Sequence, residues 1–134
     1  MVSHLPGPGH DPSSKLTRQQ KGKLGEEAAC SWLREHGYQI IKQNWRCRRG
    51  EIDIIASQGD LLVFVEVRSR SGAGNYGTPQ ESVDVRKMQQ VRSTAAVYLQ
   101  QSRERELQVR FDVVAVMLDV AGQIGTVDHI ENAF

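Results

Sequence analysis

Two strand-like runs, residues 51–56 and 61–70, are separated by only four residues, and each carries acid within an otherwise apolar stretch. The first reads Glu51-Ile52-Asp53-Ile54-Ile55-Ala56; the second opens Leu61-Leu62-Val63-Phe64-Val65-Glu66-Val67-Arg68. β-branched and aromatic residues suit a pleated, buried surface, and a connector as short as Ser57-Gln58-Gly59-Asp60 permits only antiparallel pairing. Side chains alternate across a strand, so Leu62, Phe64, Glu66 and Arg68 share one face, and Glu66 and Arg68 project together near its C-terminal end. Closing the hairpin brings Asp53 opposite a residue within 63–66. A carboxylate near the middle of a sheet is costly unless something compensates its charge. These two acids therefore constrain the rest of the chain.

The flanking segments supply a sheet and its cover. Residues 38–45 read as a strand before the turn Arg46-Cys47-Arg48-Arg49-Gly50, giving three consecutive antiparallel strands. Upstream, Thr17 and Gln20 fit a capping box. Leu24, Ala28 and Trp32, alongside Gly25, Ala29 and Leu33, recur at helical spacing until Gly37 supplies a left-handed stop. Beyond a glycine-rich loop over 71–79, Met88, Val91, Ala95 and Tyr98 mark one face of a second helix, capped by Asp84. Residues 109–118 then read as a buried strand. Its place after a helical crossover favours parallel pairing with the third strand. A short strand follows over 124–128. The expectation is an α/β domain with a mixed sheet of about five strands flanked by helices. Residues 1 to about 15, rich in Pro, Gly, His and Ser, form a polar tail, and 16–134 form a single domain.

Charge and cysteine usage narrow the partners. Seventeen basic residues against sixteen acidic ones leave a formal charge of +1, so a nucleic-acid surface has to be local. Cys30 and Cys47 have no neighbours at metal-ligand spacing and read as reduced thiols of a cytoplasmic protein; His4 and His10 do not make a ligand set. No leader-like or membrane-length apolar stretch is evident, so a soluble protein with no membrane partner is expected. Gly72-Ala73-Gly74-Asn75-Tyr76-Gly77 matches the spacing of a dinucleotide-binding turn, but Thr78-Pro79 follow at once where a helix would have to begin. Trp32 and Trp45 read as core residues rather than base-stacking platforms.

Asp53 and Glu66, with a neighbouring backbone carbonyl, are hard oxygen donors suited to Mg²⁺ or Mn²⁺. The competing reading is a structural ion pair of either acid with Arg68, and the pattern leaves both open. Glu26 is either a ligand or an ordinary acid in the first half of a helix. Asp112, inside an apolar strand, reads as structural, paired with Arg110 or a lysine. Arg46, Arg48, Arg49, Arg70, Arg86, Lys87 and Arg92 are either phosphate contacts or solvating charge.

A resemblance bears on these alternatives. The segments Gly25-Glu26 before Ala28-Ala29, Gly37-Tyr38, Asn44-Trp45-Arg46, Gly50 through Ala56, Val63 through Arg68, Arg110-Phe111-Asp112-Val113-Val114 and the closing His129-Ile130-Glu131-Asn132-Ala133-Phe134 are similar to the YraN-like family of uncharacterised bacterial proteins. The order Glu26, Asp53, Glu66-Val67-Arg68 resembles the PD-(D/E)xK nuclease superfamily and archaeal Holliday-junction resolvases. That resemblance implies a restriction-endonuclease-like three-layer fold, with Asp53, Glu66 and the Val67 carbonyl as ligands of Mg²⁺ or Mn²⁺. Glu26 would then bind a second ion or orient water. Where the superfamily usually carries lysine, this chain has Arg68, which stays protonated and acts as an electrostatic clamp, not a base. The implied function is a metal-dependent endonuclease acting on DNA, branched or damaged. A homodimer is implied only if junctions are the substrate. The alternatives are a nucleic-acid-binding module with weak or lost catalysis, and a protein-interaction subunit without nucleic-acid contact.

Overall fold

The computed structural model describes residues 16–71, 84–102, 108–119 and 121–134. Within them the chain runs α1 (Arg18–Glu35), β1 (Gln39–Cys47), β2 (Gly50–Gln58), β3 (Leu61–Ser71), α2 (Val85–Ser102), β4 (Gln108–Leu118) and β5 (Ile124–Ile130). The expected tail and most of the glycine-rich segment lie outside the described residues.

Both helix starts follow from local chemistry. Thr17 accepts a hydrogen bond from the Gln20 N–H at 3.0 Å while the Gln20 side chain accepts from the Thr17 N–H at 2.8 Å, satisfying two otherwise orphaned donors. Asp84 caps α2 by accepting from the Lys87 N–H at 2.8 Å. α1 ends at His36 and Gly37, whose φ of +88° is a left-handed conformation that favours glycine.

The strands form one sheet in the order β1-β2-β3-β4-β5, antiparallel throughout except for the parallel β3–β4 pair that the α2 crossover joins. The β1–β2 connection is tighter than expected: the ladder continues through Arg46↔Glu51 and Cys47↔Gly50, leaving only Arg48 and Arg49 as the turn. A cross-strand ion pair between Arg46 Nε and Glu51 Oε2, 2.6 Å, helps explain the extension. β5 likewise runs two residues past its expected end.

Each face of the sheet is sealed by one helix, a three-layer arrangement consistent with a restriction-endonuclease-like fold. Ala29 and Leu33 of α1 pack on Ile54, Ala56, Val63, Val65, Val114 and Val116. On the other face, Val91, Ala95 and Tyr98 of α2 pack on Ile52, Ile55, Leu62 and Phe64. Trp45 packs, partly buried, against that second cluster, and Trp32 against the first. Removing this apolar surface from water supplies about 25 cal/mol per Å², the main drive for closing both layers.

Strict alternation fails at one place in β2. Ile52 and Ile54, two residues apart, face opposite sides of the sheet, while Ile55 shares the side of Ile52. The irregularity falls on Asp53, between the pairs Trp45↔Ile52 and Gln43↔Ile54. Across from it in β1, Asn44 has a φ of +52°, a conformation that few non-glycine residues adopt. The sheet is thus distorted where its acids are.

Candidate functional site

At the end of β3, a cleft of about 560 Å³ opens between the first half of α1 and the start of α2. Its floor is Asp53 of β2 and Glu66 through Ser71 of β3; α1 contributes Arg18, Lys21, Gly22 and Glu26, and α2 contributes Lys87. Gly25 permits the α1 wall to come this close. A Cβ there would overlap Ser69 Oγ and lie 3.0 Å from Ser69 Cβ on β3, so a larger residue would force the Ser69 side chain or the helix to shift.

Glu66 is almost fully buried, at 2% exposure. Its Oε2 faces Arg68 Nη2 at 3.3 Å and Lys87 Nζ at 3.4 Å, whereas no N–H or hydroxyl donor among the described residues reaches the buried Oε1. Burial, reinforced by the charge of Asp53 and a side-chain hydrogen bond with it, pushes the Glu66 carboxyl up to about 8, against the opposing pull of Lys87 and Arg68. Both cations together do not offset desolvation and a like-charged neighbour. Asp53 is held in place by the Val67 N–H, which donates to Asp53 Oδ2 at 2.8 Å.

Glu26 is half-buried on the α1 wall. Burial raises its pKa, a hydrogen bond with the Asn44 side chain opposes that rise, and the charges of Asp53 and Glu51 add to it. The unusual backbone of Asn44 thus coincides with a side-chain link from β1 to the helix.

The cleft brings together Glu26, Asp53, Glu66, Val67, Arg68, Arg70 and Lys87 from the sequence expectations. It does not bring in Arg46, Arg48 and Arg49, which are exposed on the β1–β2 hairpin, or Arg86, exposed on α2. Lys87, read from the sequence as either a phosphate contact or solvating charge, lines the cleft and pairs with the buried Glu66. Among the described residues, no group of three or more His, Cys, Asp or Glu side chains is close enough to form a ligand set by itself. The donors on offer are the two coupled carboxylates and backbone oxygen, a set that suits a hard cation retaining several waters.

Sequence reasoning missed Arg18, Lys21 and Gly22. The available signal was spacing: Arg18, Gly22 and Glu26 stand four residues apart and line one helical stripe. Asn44 stood in one of the segments that carry the family resemblance, but its hydrogen bond with Glu26 joins β1 to α1 across eighteen residues and could be seen only in the fold.

The model of the Uncharacterised protein family UPF0102 matches residues 25–116. The chain belongs to this family. A UPF0102 protein of Moorella thermoacetica is 48% identical over 119 residues, covering 89% of this chain and 98% of the relative. UPF0102 proteins of Pelotomaculum thermopropionicum and Rhodococcus opacus are 44% and 46% identical, covering 87% and 84% of this chain and 97% and 94% of theirs. The UPF0102 match spans Glu26, Asp53, Glu66, Arg68 and Lys87; Arg18 and Lys21 precede it. Among the described residues of this UPF0102 chain, no helix is long and apolar enough to cross a membrane.

Proposed function

We propose that this chain is a Mg²⁺- or Mn²⁺-dependent nuclease that hydrolyses DNA phosphodiesters in the cleft, with Asp53 and Glu66 as the cation ligands. The observation that carries the reading is Glu66: a buried carboxyl whose Oε1 no N–H or hydroxyl donor among the described residues reaches, set against the carboxyl of Asp53 at the base of a cleft lined by five Lys or Arg side chains. Proteins rarely leave a buried acceptor unsatisfied, and an exception calls for a ligand or a functional role. Two carboxylates, the Val67 carbonyl and water make a reasonable Mg²⁺ shell, since that ion commonly takes one or two protein carboxylates and fills the remainder with water and phosphate oxygens. When bound, such a cation acidifies water and offsets negative charge on the phosphate.

The chain's own residues divide the remaining work. Hydrolysis joins a water oxygen to phosphorus and breaks the bond to the leaving sugar oxygen, which must gain a proton as the water loses one. Glu26, on the cleft wall with its pKa raised, holds or orients the attacking water. Arg68 stays protonated and steadies the charge that builds on the phosphoryl oxygens. Lys87 and Arg68, both on Oε2 of Glu66, keep that carboxylate oriented with Oε1 free.

Incubation with fluorescent junction, flap, duplex and single-stranded DNA in Mg²⁺ or Mn²⁺ tests this. Metal-dependent cleavage that Asp53→Ala abolishes is the expected result; no cleavage of any substrate with either metal would refute the catalytic claim. The presence of Arg68 in place of a titratable lysine favours a second reading, a nucleic-acid-binding module with little catalysis. Its signature is salt-sensitive binding retained in Asp53→Ala without cleavage by the wild type.

A further inference from the structure

We propose that the N-terminal half of α1 is a phosphate rail, in which Arg18 and Lys21 hold the backbone of a nucleic-acid strand and Gly22 leaves room for it. This assignment deepens the nuclease reading and rests on it for the class of ligand.

The first argument is charge. The cleft is lined by five Lys or Arg side chains against three acids, in a chain whose formal charge is only +1. Two of those cations, Arg18 and Lys21, have no acid in the first turn of their helix to balance them. Cations at that end oppose the helix dipole, an arrangement that destabilises the free helix and becomes favourable when an anion lies against it.

The second argument is space. Gly22 lies on the cleft-facing stripe between Arg18 and Glu26, and a Cβ at Gly22 would have no heavy atom of another element within 4 Å. Glycine inside a helix is costly, and no packing contact within the described residues requires it. Gly25, three residues on, has such a contact with Ser69. Gly22 therefore leaves bare backbone along the rail.

The third argument is independent of the helix. Oε1 of Glu66, almost fully buried and reached by no N–H or hydroxyl donor among the described residues, lies on the same cleft, where a cation would complete it. A cation at that oxygen adjacent to a row of Arg and Lys is what a phosphodiester bridging the two requires. Among the described residues the lining has no aromatic side chain on which a base could stack. Arg18 and Lys21, placed along bare helix backbone, are set to hold phosphate, and binding is expected not to depend on base sequence.

Fluorescence anisotropy with fluorescein-labelled 20-nucleotide single strands, run in EDTA across a salt series, tests the proposal separately from cleavage. Two unrelated DNA sequences and an RNA copy of one are the probes, with poly-glutamate as competitor. For wild type, the affinities for the two DNA sequences should agree within about twofold. The double variant Arg18→Gln/Lys21→Gln should bind at least about tenfold more weakly at low salt. The slope of log affinity against log salt should be shallower by about 1.4, two contacts at about 0.7 each. Gly22→Leu should weaken binding with the slope unchanged and without lowering the melting temperature, since leucine is the better helix former. A double variant within twofold of wild type with the same slope would overturn the rail, as would poly-glutamate competing as well as the oligonucleotide. Equal affinity for the RNA copy supports a backbone reader; cleavage failing while these binding results hold would refute the nuclease reading alone.

Discussion

Glu66 and Asp112 are two buried carboxylates on neighbouring parallel strands, one residue out of step: Val65 pairs with Asp112, and Glu66 with Val113. Asp112 is fully satisfied. Arg110 Nε and Nη2 donate to its two oxygens at 2.8 and 2.7 Å, His129 Nε2 lies 2.7 Å from Oδ2, and the Asn132 N–H donates to Oδ1 at 3.0 Å. Trp32 Nε1–H donates to His129 Nδ1 at 3.3 Å, which leaves Nε2 to face Asp112. Burial alone would raise the Asp112 pKa, but the hydrogen bonds from His129, Arg110 and Asn132 outweigh it and hold the carboxyl below its ordinary value. Glu66 has the reverse balance, with one oxygen that no N–H or hydroxyl donor among the described residues reaches and a pKa pushed up to about 8. Burial therefore does not distinguish the two acids. Whether the protein itself completes the acid's hydrogen bonds does.

The largest expected effect is at the satisfied acid. Asp112→Ala strips Arg110, His129 and the Asn132 N–H of a common acceptor and should cost about 3–5 kcal/mol in urea denaturation, the range for breaking a buried pair. A loss under about 1 kcal/mol would erase the contrast between the two acids. Because its folded pKa is depressed, the stability Asp112 contributes is present above about 3.8 and is lost as pH falls through the folded value.

The second effect has the opposite sign. The Glu66 pKa is raised, so without divalent cation the folded state binds more protons than the unfolded one between about 4.5 and about 8, and stability falls as pH rises through that window. Glu66→Gln removes the term. Its melting temperature relative to wild type should rise by a few degrees as pH goes from about 5 to about 8 in EDTA. A variant less stable than wild type at pH 8 would mean that Arg68 and Lys87 satisfy Glu66 after all.

A smaller effect is expected at Asn44. Replacement by glycine relieves a positive φ and removes the bond to Glu26, so Asn44→Gly should change stability by less than about 1 kcal/mol while lowering cleavage more than binding. The smallest is Arg46→Ala, which breaks an exposed ion pair and should leave melting temperature and cleavage unchanged within error.

The fold was legible because its signals are local and periodic. The capping box, the left-handed Gly37, the short β2–β3 connector and the apolar face of α2 each follow from residues a few positions apart. The Asp112–Arg110 pair was also readable, both residues lying on one strand. His129, seventeen residues on, was not, because only the β4–β5 pairing brings its ring to Asp112. The two floor acids were anticipated from strand alternation, although β2 abandons that alternation at Asp53. Lys87 shows the remaining limit: its charge was evident in the sequence, but only the packing of α2 sets it against Glu66 instead of leaving it in solvent.

The central claim is that Glu66 and Asp53 form an unfinished site completed by a divalent cation, whereas Asp112 is complete within the protein. Calorimetric titration of Mn²⁺ at pH 8 into wild type, Asp53→Asn and Glu66→Gln tests it most directly. The account predicts saturable binding to wild type that either substitution weakens by at least about tenfold. Equal binding by all three proteins, or no binding by wild type, would contradict it.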